Sequence, residues 1–281
     1  MTVVILGAGG QLGRALQQEF PDAVALDRAA LDISDGDAVA RYDWTGVDVV
    51  LNAAAYTQVD AAEDPANLAA VRGTNVEAVS HLADAAQRSG FTLVHVSSEY
   101  VFDGSFPGPI PEDLPSSPLS AYGQSKADGD RQAARAGRHY LIRTTWVVGE
   151  GANFVRIMAS LAERGVHPAV VDDQIGRPTF AADLAAGIRH LLDAAAPFGT
   201  YNLTCGGEPA SWADVAAAVY EALGHDAGAV RRVSTAEYFA DRPGAARRPL
   251  NSVLDLAKIE ATGFRPRNWH TRLTEYVAGL R

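Results

Sequence analysis

The stretch Thr2–Phe20, "TVVILGAGGQLGRALQQEF", runs from a short β-branched apolar segment through spaced glycines into an amphipathic segment. Gly7, Gly10 and Gly13 form a GxxGxxG pattern between what the alternation predicts to be a strand and a helix. Glycines at such a junction permit a tight turn and close approach of a pyrophosphate to backbone amides. The helix N-terminus adds a dipole that favours the negative charge. The expectation is a dinucleotide site. Asp27 lies 20 residues after Gly7, at the end of the second predicted strand. An acid there hydrogen-bonds an adenosine ribose hydroxyl, whereas an adjacent arginine accepts a 2′-phosphate. Arg28 is adjacent, so NADPH and NADH both stay open as cofactors.

Outward from this unit, "VALD", "VDVVLNAAA", "TLVHVSS" and "YLIRTTWVV" read as further strands, and "DGDAVARY", "NVEAVSHLADAAQRSG" and "SKADGDRQAARAG" as helices between them. Strands apolar along their whole length and separated by helices indicate a parallel sheet covered on both faces. The fold class expected is therefore α/β, a doubly wound parallel (Rossmann) sheet with a smaller C-terminal α/β substrate-binding lobe. Residues 1–150 form the dinucleotide-binding domain, with segments near 178–198 returning to it. Residues 151–281 form mainly the substrate lobe.

The chain has 281 residues, 47% of them hydrophobic and 21% charged, which is the composition of an ordinary globular protein. A formal net charge of -10 argues against a nucleic-acid partner, which needs a basic face. No apolar run approaches the roughly 20 residues of a membrane span. The opening "MTVVILGAGG" carries no basic region, so a cytoplasmic location without membrane association is expected. Cys205 is the single cysteine. It excludes an internal disulfide and a cysteine metal cluster, the 7 histidines show no ligand spacing, and no metal is expected.

"LSAYGQSK", Leu119–Lys126, places Tyr122 and Lys126 one helical turn apart. A phenol that exchanges a proton near neutrality needs a nearby cation to stabilise its anion, and Lys126 is placed to supply it. Upstream, "VHVSSEY" ends a strand with Ser97 and Ser98.

Taken together, the glycine loop, a serine after a mid-chain strand and YxxxK spacing resemble the extended short-chain dehydrogenase/reductase family. Within it, "GAGGQLG", "LNAAAYTQVDAAE", "HVSSEYVFDG", "YGQSKADGD", "RTTWVVG", "VDDQIGRPT" and "RRPLNS" are similar to the dTDP-4-dehydrorhamnose reductases and related 4-ketoreductases of nucleotide-linked deoxysugars. The resemblance spans nearly the whole chain. It implies a dTDP-linked keto-deoxysugar substrate and reduction by NADPH or NADH. Ser98 would hydrogen-bond the reacting oxygen, Tyr122 donate the proton, and Lys126 hold the nicotinamide ribose and lower the Tyr122 pKa. Cofactor contacts are implied at Gly7, Gly10, Gln11, Leu12, Gly13, Asp27, Arg28, Asp32, Ile33, Asn52, Ala53, Ala54 and Ala55, besides Tyr122 and Lys126. On the sugar side the implied residues are Thr57, Val59, Ser98, Glu99, Tyr100 and Trp146. Gln174, Arg177, Arg248 and Ser252 would lie toward the diphosphate.

Two departures stand out. Glu99 follows Ser98 where these reductases commonly carry Asp, and Tyr100 occupies the position of a dehydratase acid, which speaks against dehydration. Some members form a metal-bridged dimer through a Glu that here is Ala15, so no such bridge is expected, although a homodimer stays open. The rival readings are a 4-ketoreductase for another nucleotide deoxysugar and a non-catalytic NADP-binding subunit like that of methionine adenosyltransferase. The intact Ser98, Tyr122 and Lys126 argue against the second.

Overall fold

The computed structural model describes residues 1–280. Strand β1 (Val3–Leu6) leads through the glycine loop into α1 (Gln11–Glu19), then β2 (Val24–Leu26), α2 (Gly36–Arg41) and β3 (Val49–Asn52). Next come α3 (Leu68–Arg72), which passes through a π-helical stretch at Gly73–Glu77 into α4 (Ala78–Ser89), and β4 (Thr92–Ser98). The pair α5 (Ala121–Ala133) and β5 (His139–Thr144) follows. The C-terminal half contributes β6 (Val147–Val148), α6 (Phe154–Glu163), β7 (Ala169–Val171), β8 (Ile175–Gly176), β9 (Thr179–Phe180) and α7 (Ala181–Asp193). It continues with β10 (Gly199–Asn202), β11 (Ala210–Ser211), α8 (Trp212–Ala222), β12 (Arg231–Val233), α9 (Thr235–Phe239), α10 (Ala257–Ala261) and α11 (Trp269–Ala278).

The central sheet has the order β10-β5-β4-β3-β1-β2 and every pairing in it is parallel. Its inner strands are apolar on both faces, and both faces are covered, as the continuous runs predict. One face packs Ile5, Leu51 and Ile142 against Leu16 of α1 and Leu184 and Ile188 of α7. The other packs Val4, Val50 and Leu93 against Val39 of α2 and Val79 and Leu82 of α4. Each such side chain, fully buried, contributes roughly 1.5–3 kcal/mol. Helix α7 and strand β10 belong to this sheet although they come after residue 150. A separate core joins Val155 and Met158 of α6, Val215 and Val219 of α8 and Leu273 of α11.

Two elements differ from the sequence expectation. "YLIRTTWVV" is not one strand. β5 stops at Thr144, Trp146 takes a left-handed φ of 45°, and β6 pairs instead with β9 outside the central sheet. The break falls at Arg143-Thr144-Thr145, where the β-branched threonines keep a strand-like composition, so only the tertiary pairing reveals it. The helix expected from Asn75 begins earlier, at Leu68, and its π-helical stretch turns Asn75 inward to 1% exposure.

Helix α5 sits unusually close to its neighbours. A Cβ built on Gly129 would lie 2.2 Å from the Asn75 carbonyl oxygen, and one on Gly123 would lie 2.3 Å from that of Tyr100. Backbone lies behind both contacts, so no flexible side chain can yield. Gly129→Ala is expected to cost at least ~1–3 kcal/mol of stability through overpacking. Chemical denaturation checks this, and an unchanged midpoint would show that α5 can move away without loss.

Candidate active site

The carboxyl ends of β1, β3, β4 and β5 open on two adjoining cavities of about 380 Å³ and about 650 Å³. Gly9, Gly10, Ala53 and Ala55 line both, so the glycine loop forms the saddle between them. Glycine is required here for a specific reason. Gly7 has φ 74°, and a Cβ on it would lie 2.6 Å from the Ala54 amide nitrogen; one on Gly13 would lie 2.2 Å from the Gly7 carbonyl oxygen. Gly9 has nothing within 4 Å of its virtual Cβ, so its outer side is open. Helix α1 starts there with no side-chain cap on its first amides. Open amides at a helix N-terminus beside a two-chambered cavity fit a pyrophosphate flanked by two nucleoside ends.

Asp27, Arg28, Asp32 and Ile33 line the smaller chamber with Ala54. One Asp27 oxygen accepts from the amides of Ala29 and Ala30, which shapes the turn and leaves the other oxygen for a ribose hydroxyl. Arg28 pairs with Asp32 at 3.0 Å in an exposed position, an interaction worth about 0–1 kcal/mol. A competing 2′-phosphate would recruit Arg28 at small cost, so the geometry accommodates either cofactor.

The larger chamber is lined by Ser98, Glu99, Tyr122 and Lys126. Ser120 caps α5 by accepting from the Gly123 amide at 3.1 Å, which starts the helix so that Tyr122 on its first turn and Lys126 on its second both face inward. Lys126 is 1% exposed and donates to the Val96 carbonyl at 2.8 Å. Its Nζ also lies 3.5 Å from His95 Nε2. On the far side of that ring, Asn52 Nδ2 lies 3.1 Å from Nδ1, while Asn52 Oδ1 accepts from the Ala54 amide. Asn52 and Lys126 thus bracket the ring, one at each nitrogen. Burial and the lysine charge hold His95 well below its ordinary pKa, so it is neutral. Burial brings Lys126 down to about 8, opposed by the charge of Asp130.

The Tyr122 phenol is pushed well above its ordinary value, first by burial and then by the charge of Glu99, with the neighbouring Ser98 side chain opposing. This corrects the expectation that Lys126 lowers it. In the folded chain the lysine is engaged with Val96 and His95, and desolvation dominates. Glu99 is 3% exposed, its Oε2 accepts from the Ser98 hydroxyl at 2.6 Å, and burial pushes its carboxyl up to about 7.

Thr57, Val59, Tyr100, Trp146, Gln11 and Leu12 line the same chamber. Trp146 stacks on Trp212 with centroids 3.9 Å apart and planes 20° from parallel, giving a flat apolar wall. Its left-handed backbone is a strained conformation for a bulky residue, held by this packing. Gln174, Arg177, Arg248 and Ser252 do not line the chamber. Gln174 donates to Thr235, and Arg177 donates to the carbonyls of Gly207 and Leu254. Ser252 is buried beside Gly176, whose missing Cβ makes room for the Trp146 ring. Arg248 pairs with Asp60 at 2.8 Å and acts on the Tyr100 phenol. Asn52 also stands behind the wall, through His95.

Sequence reading missed Asn75, His95 and Trp212. Asn75 holds the loop after β3 to α5, accepting from the Tyr56 amide and donating to Ser125. A polar residue in a helix that the pattern treats as ordinary carries no such signal, and Trp212 opens a helix far from the other motifs.

The model of the RmlD substrate binding domain family matches residues 1–281. The dTDP-4-dehydrorhamnose reductase of Aggregatibacter actinomycetemcomitans is 39% identical over 96% of both chains. The chain belongs to the dTDP-4-dehydrorhamnose reductase family. The Mycobacterium tuberculosis protein of that name is 38% identical over 98% of this chain and 92% of its own. Among solved members, the Clostridium acetobutylicum reductase superposes with a TM-score of 0.91 at 35% identity, covering 100% of this chain and 99% of that one. The Bacillus anthracis reductase, solved in complex with NADP, gives 0.90 at 31% identity and covers 100% of both.

The state of Glu99 has a measurable consequence. Its raised pKa means that between about 4.5 and 7 the folded chain keeps a proton that the unfolded chain releases. Wild-type stability is therefore lost as pH rises through that window, by up to roughly 1.4 kcal/mol per unit. Glu99→Gln keeps the shape and lacks the titration, so its melting temperature is expected to rise relative to wild type between pH 5 and 8. A difference independent of pH would show that folding does not hold the carboxyl neutral.

Proposed function

We propose that the protein reduces the C4 keto group of a dTDP-4-keto-6-deoxyhexose, converting dTDP-4-dehydrorhamnose to dTDP-L-rhamnose with NADPH or NADH. The observation that carries this reading is one chamber, lined by Ser98, Tyr122 and Lys126, opening directly onto the glycine loop in a chain that matches the family from end to end. The bound nicotinamide supplies the hydride. Tyr122, kept protonated by its buried surroundings, gives its proton to the C4 oxygen. Ser98 donates a hydrogen bond to the same oxygen as charge develops there. Lys126, anchored at Val96 with its pKa brought down to about 8, would hold the cofactor ribose and supply a cation for the phenolate left behind. Trp146 backed by Trp212 forms the wall for the sugar's apolar face, while Thr57 and Val59 also line the chamber, Val59 packing on the cluster that holds Tyr122. The nucleotide handle fixes the C4 carbonyl against Tyr122, and this orientation raises the rate only so far as it places the sugar.

Consumption of reduced nicotinamide tests the reading directly. Oxidation is expected with dTDP-4-keto-6-deoxyglucose only when the 3,5-epimerase that makes the rhamnose precursor is present. Oxidation without the epimerase would assign the chain to another deoxysugar, and binding of NADPH with no oxidation would make it a non-catalytic NADP-binding protein. Tyr122→Phe is expected to lower turnover by roughly 10²- to 10⁴-fold with cofactor affinity unchanged. An unaltered rate would remove the phenol from the chemistry.

A further inference from the structure

Ser98 has a single hydroxyl hydrogen, and in this structure it points at Glu99 Oε2 across 2.6 Å. The same hydroxyl must donate to the C4 oxygen for the reaction above, and it cannot do both. A carboxylate beside a serine is an acceptor only, whereas a carboxylic acid can donate to the serine oxygen and leave the serine hydrogen free. We propose that Glu99 is a positioning residue whose protonation reverses the Glu99–Ser98 hydrogen bond and so aims the Ser98 hydroxyl at the substrate oxygen. The inference rests on the proposed reduction. Glu99 keeps its proton throughout the turnover; only the direction of the hydrogen bond is set.

The surroundings favour this assignment. The Glu99 side chain is almost completely buried, on the turn between β4 and α5. That turn is clamped where Gly123 allows α5 to rest on the Tyr100 carbonyl. The ionisable groups facing this corner are Tyr100 on the same turn, Tyr122 and Lys126 on α5, Asp60 after β3, and Arg248 near the C-terminus. Arg248 is committed to Asp60 and Lys126 to the Val96 carbonyl and His95, so no cation is bonded to the Glu99 carboxylate. The Tyr100 and Tyr122 rings meet edge to face beside it, their centroids 5.4 Å apart. Burial brings the carboxyl into the physiological range, to about 7, and its charge raises the Tyr122 phenol further, so the ionised form opposes proton donation twice over. First it takes the Ser98 hydrogen, and second it repels the developing phenolate.

Two measurements on the intact protein decide the matter. In the first, carboxyl and serine carbons are followed by 13C NMR against pH, with Glu99 assigned by its loss in Glu99→Gln. Glu99 Cδ and Ser98 Cβ are expected to titrate together near pH 7, and the Ser98 transition to vanish in the variant. A Glu99 transition near the ordinary carboxylate value, or a Ser98 signal that ignores it, overturns the proposal whatever the turnover. In the second, kcat with saturating cofactor and keto-sugar is expected to fall about tenfold from pH 6 to 8 in wild type, as a single essential protonated group requires. Glu99→Gln, whose amide donates to Ser98 at every pH, should lose that fall while KM for the cofactor stays the same. A variant that keeps the fall overturns the assignment. Absence of any turnover in wild type would sink the proposed reaction instead, while the coupled NMR titration would still report on Glu99.

Discussion

The site depends on how closely α5 can approach the end of β4. Two backbone contacts set that distance, Gly123 against the Tyr100 carbonyl and Gly129 against the Asn75 carbonyl, and neither leaves space for a methyl group. Because the helix lies flat on these carbonyls, Tyr122 reaches the strand end that presents Ser98, and Lys126 reaches the Val96 carbonyl one residue pair below. Asn75, brought inward by the π-helical stretch, then ties the same helix to the loop that follows β3. The proposed catalytic groups are thus carried on rigid elements fixed by backbone contact, with a precision that a loop-borne site would lack.

Closeness carries an electrostatic consequence. Glu99, Tyr122, Lys126, His95 and Asp130 are all buried, and burial is the leading influence on each of their pKa values. Desolvation disfavours whichever form is charged, so it raises the acids and lowers the bases together. Asp130 keeps a partner in Arg143 at 3.4 Å, both nearly fully buried. Glu99 has no such cation, and its side chain is bonded to the serine that the proposed reaction needs. The corner therefore favours a neutral carboxyl beside a neutral phenol, an arrangement suited to giving a proton to a ketone oxygen.

Much of this was legible in the sequence. The alternation of apolar and amphipathic runs led to the parallel sheet, because strands buried on both faces leave an unbroken apolar signature. The spacing of Tyr122 and Lys126 on one helix, with Ser98 at a strand end, brought the central trio into view. What escaped depends on contacts distant in sequence. Trp146 follows two β-branched threonines that read as strand, and only its pairing partners reveal the strand break and the stack on Trp212. Arg177 looks like a phosphate ligand in "QIGRPT" until its donors are seen on the Gly207 and Leu254 carbonyls. His95 sits in a strand as any buried residue would, and its contact with Lys126 comes from the packing of α5 on β4, not from pattern.

The same contrast explains why Glu99 could be noticed as a departure from Asp but not understood. Residue type establishes a carboxyl next to Ser98; it does not establish burial, the missing cation, or the direction of one hydrogen bond. The extra methylene in Glu over Asp lets a side chain anchored one residue after Ser98 bring Oε2 to the Ser98 oxygen. A buried carboxyl held near neutrality by desolvation costs stability as pH rises, and a core residue chosen for packing alone would avoid that cost. Its presence beside the one hydroxyl that must face the substrate oxygen is most economically explained by what it does to that hydroxyl.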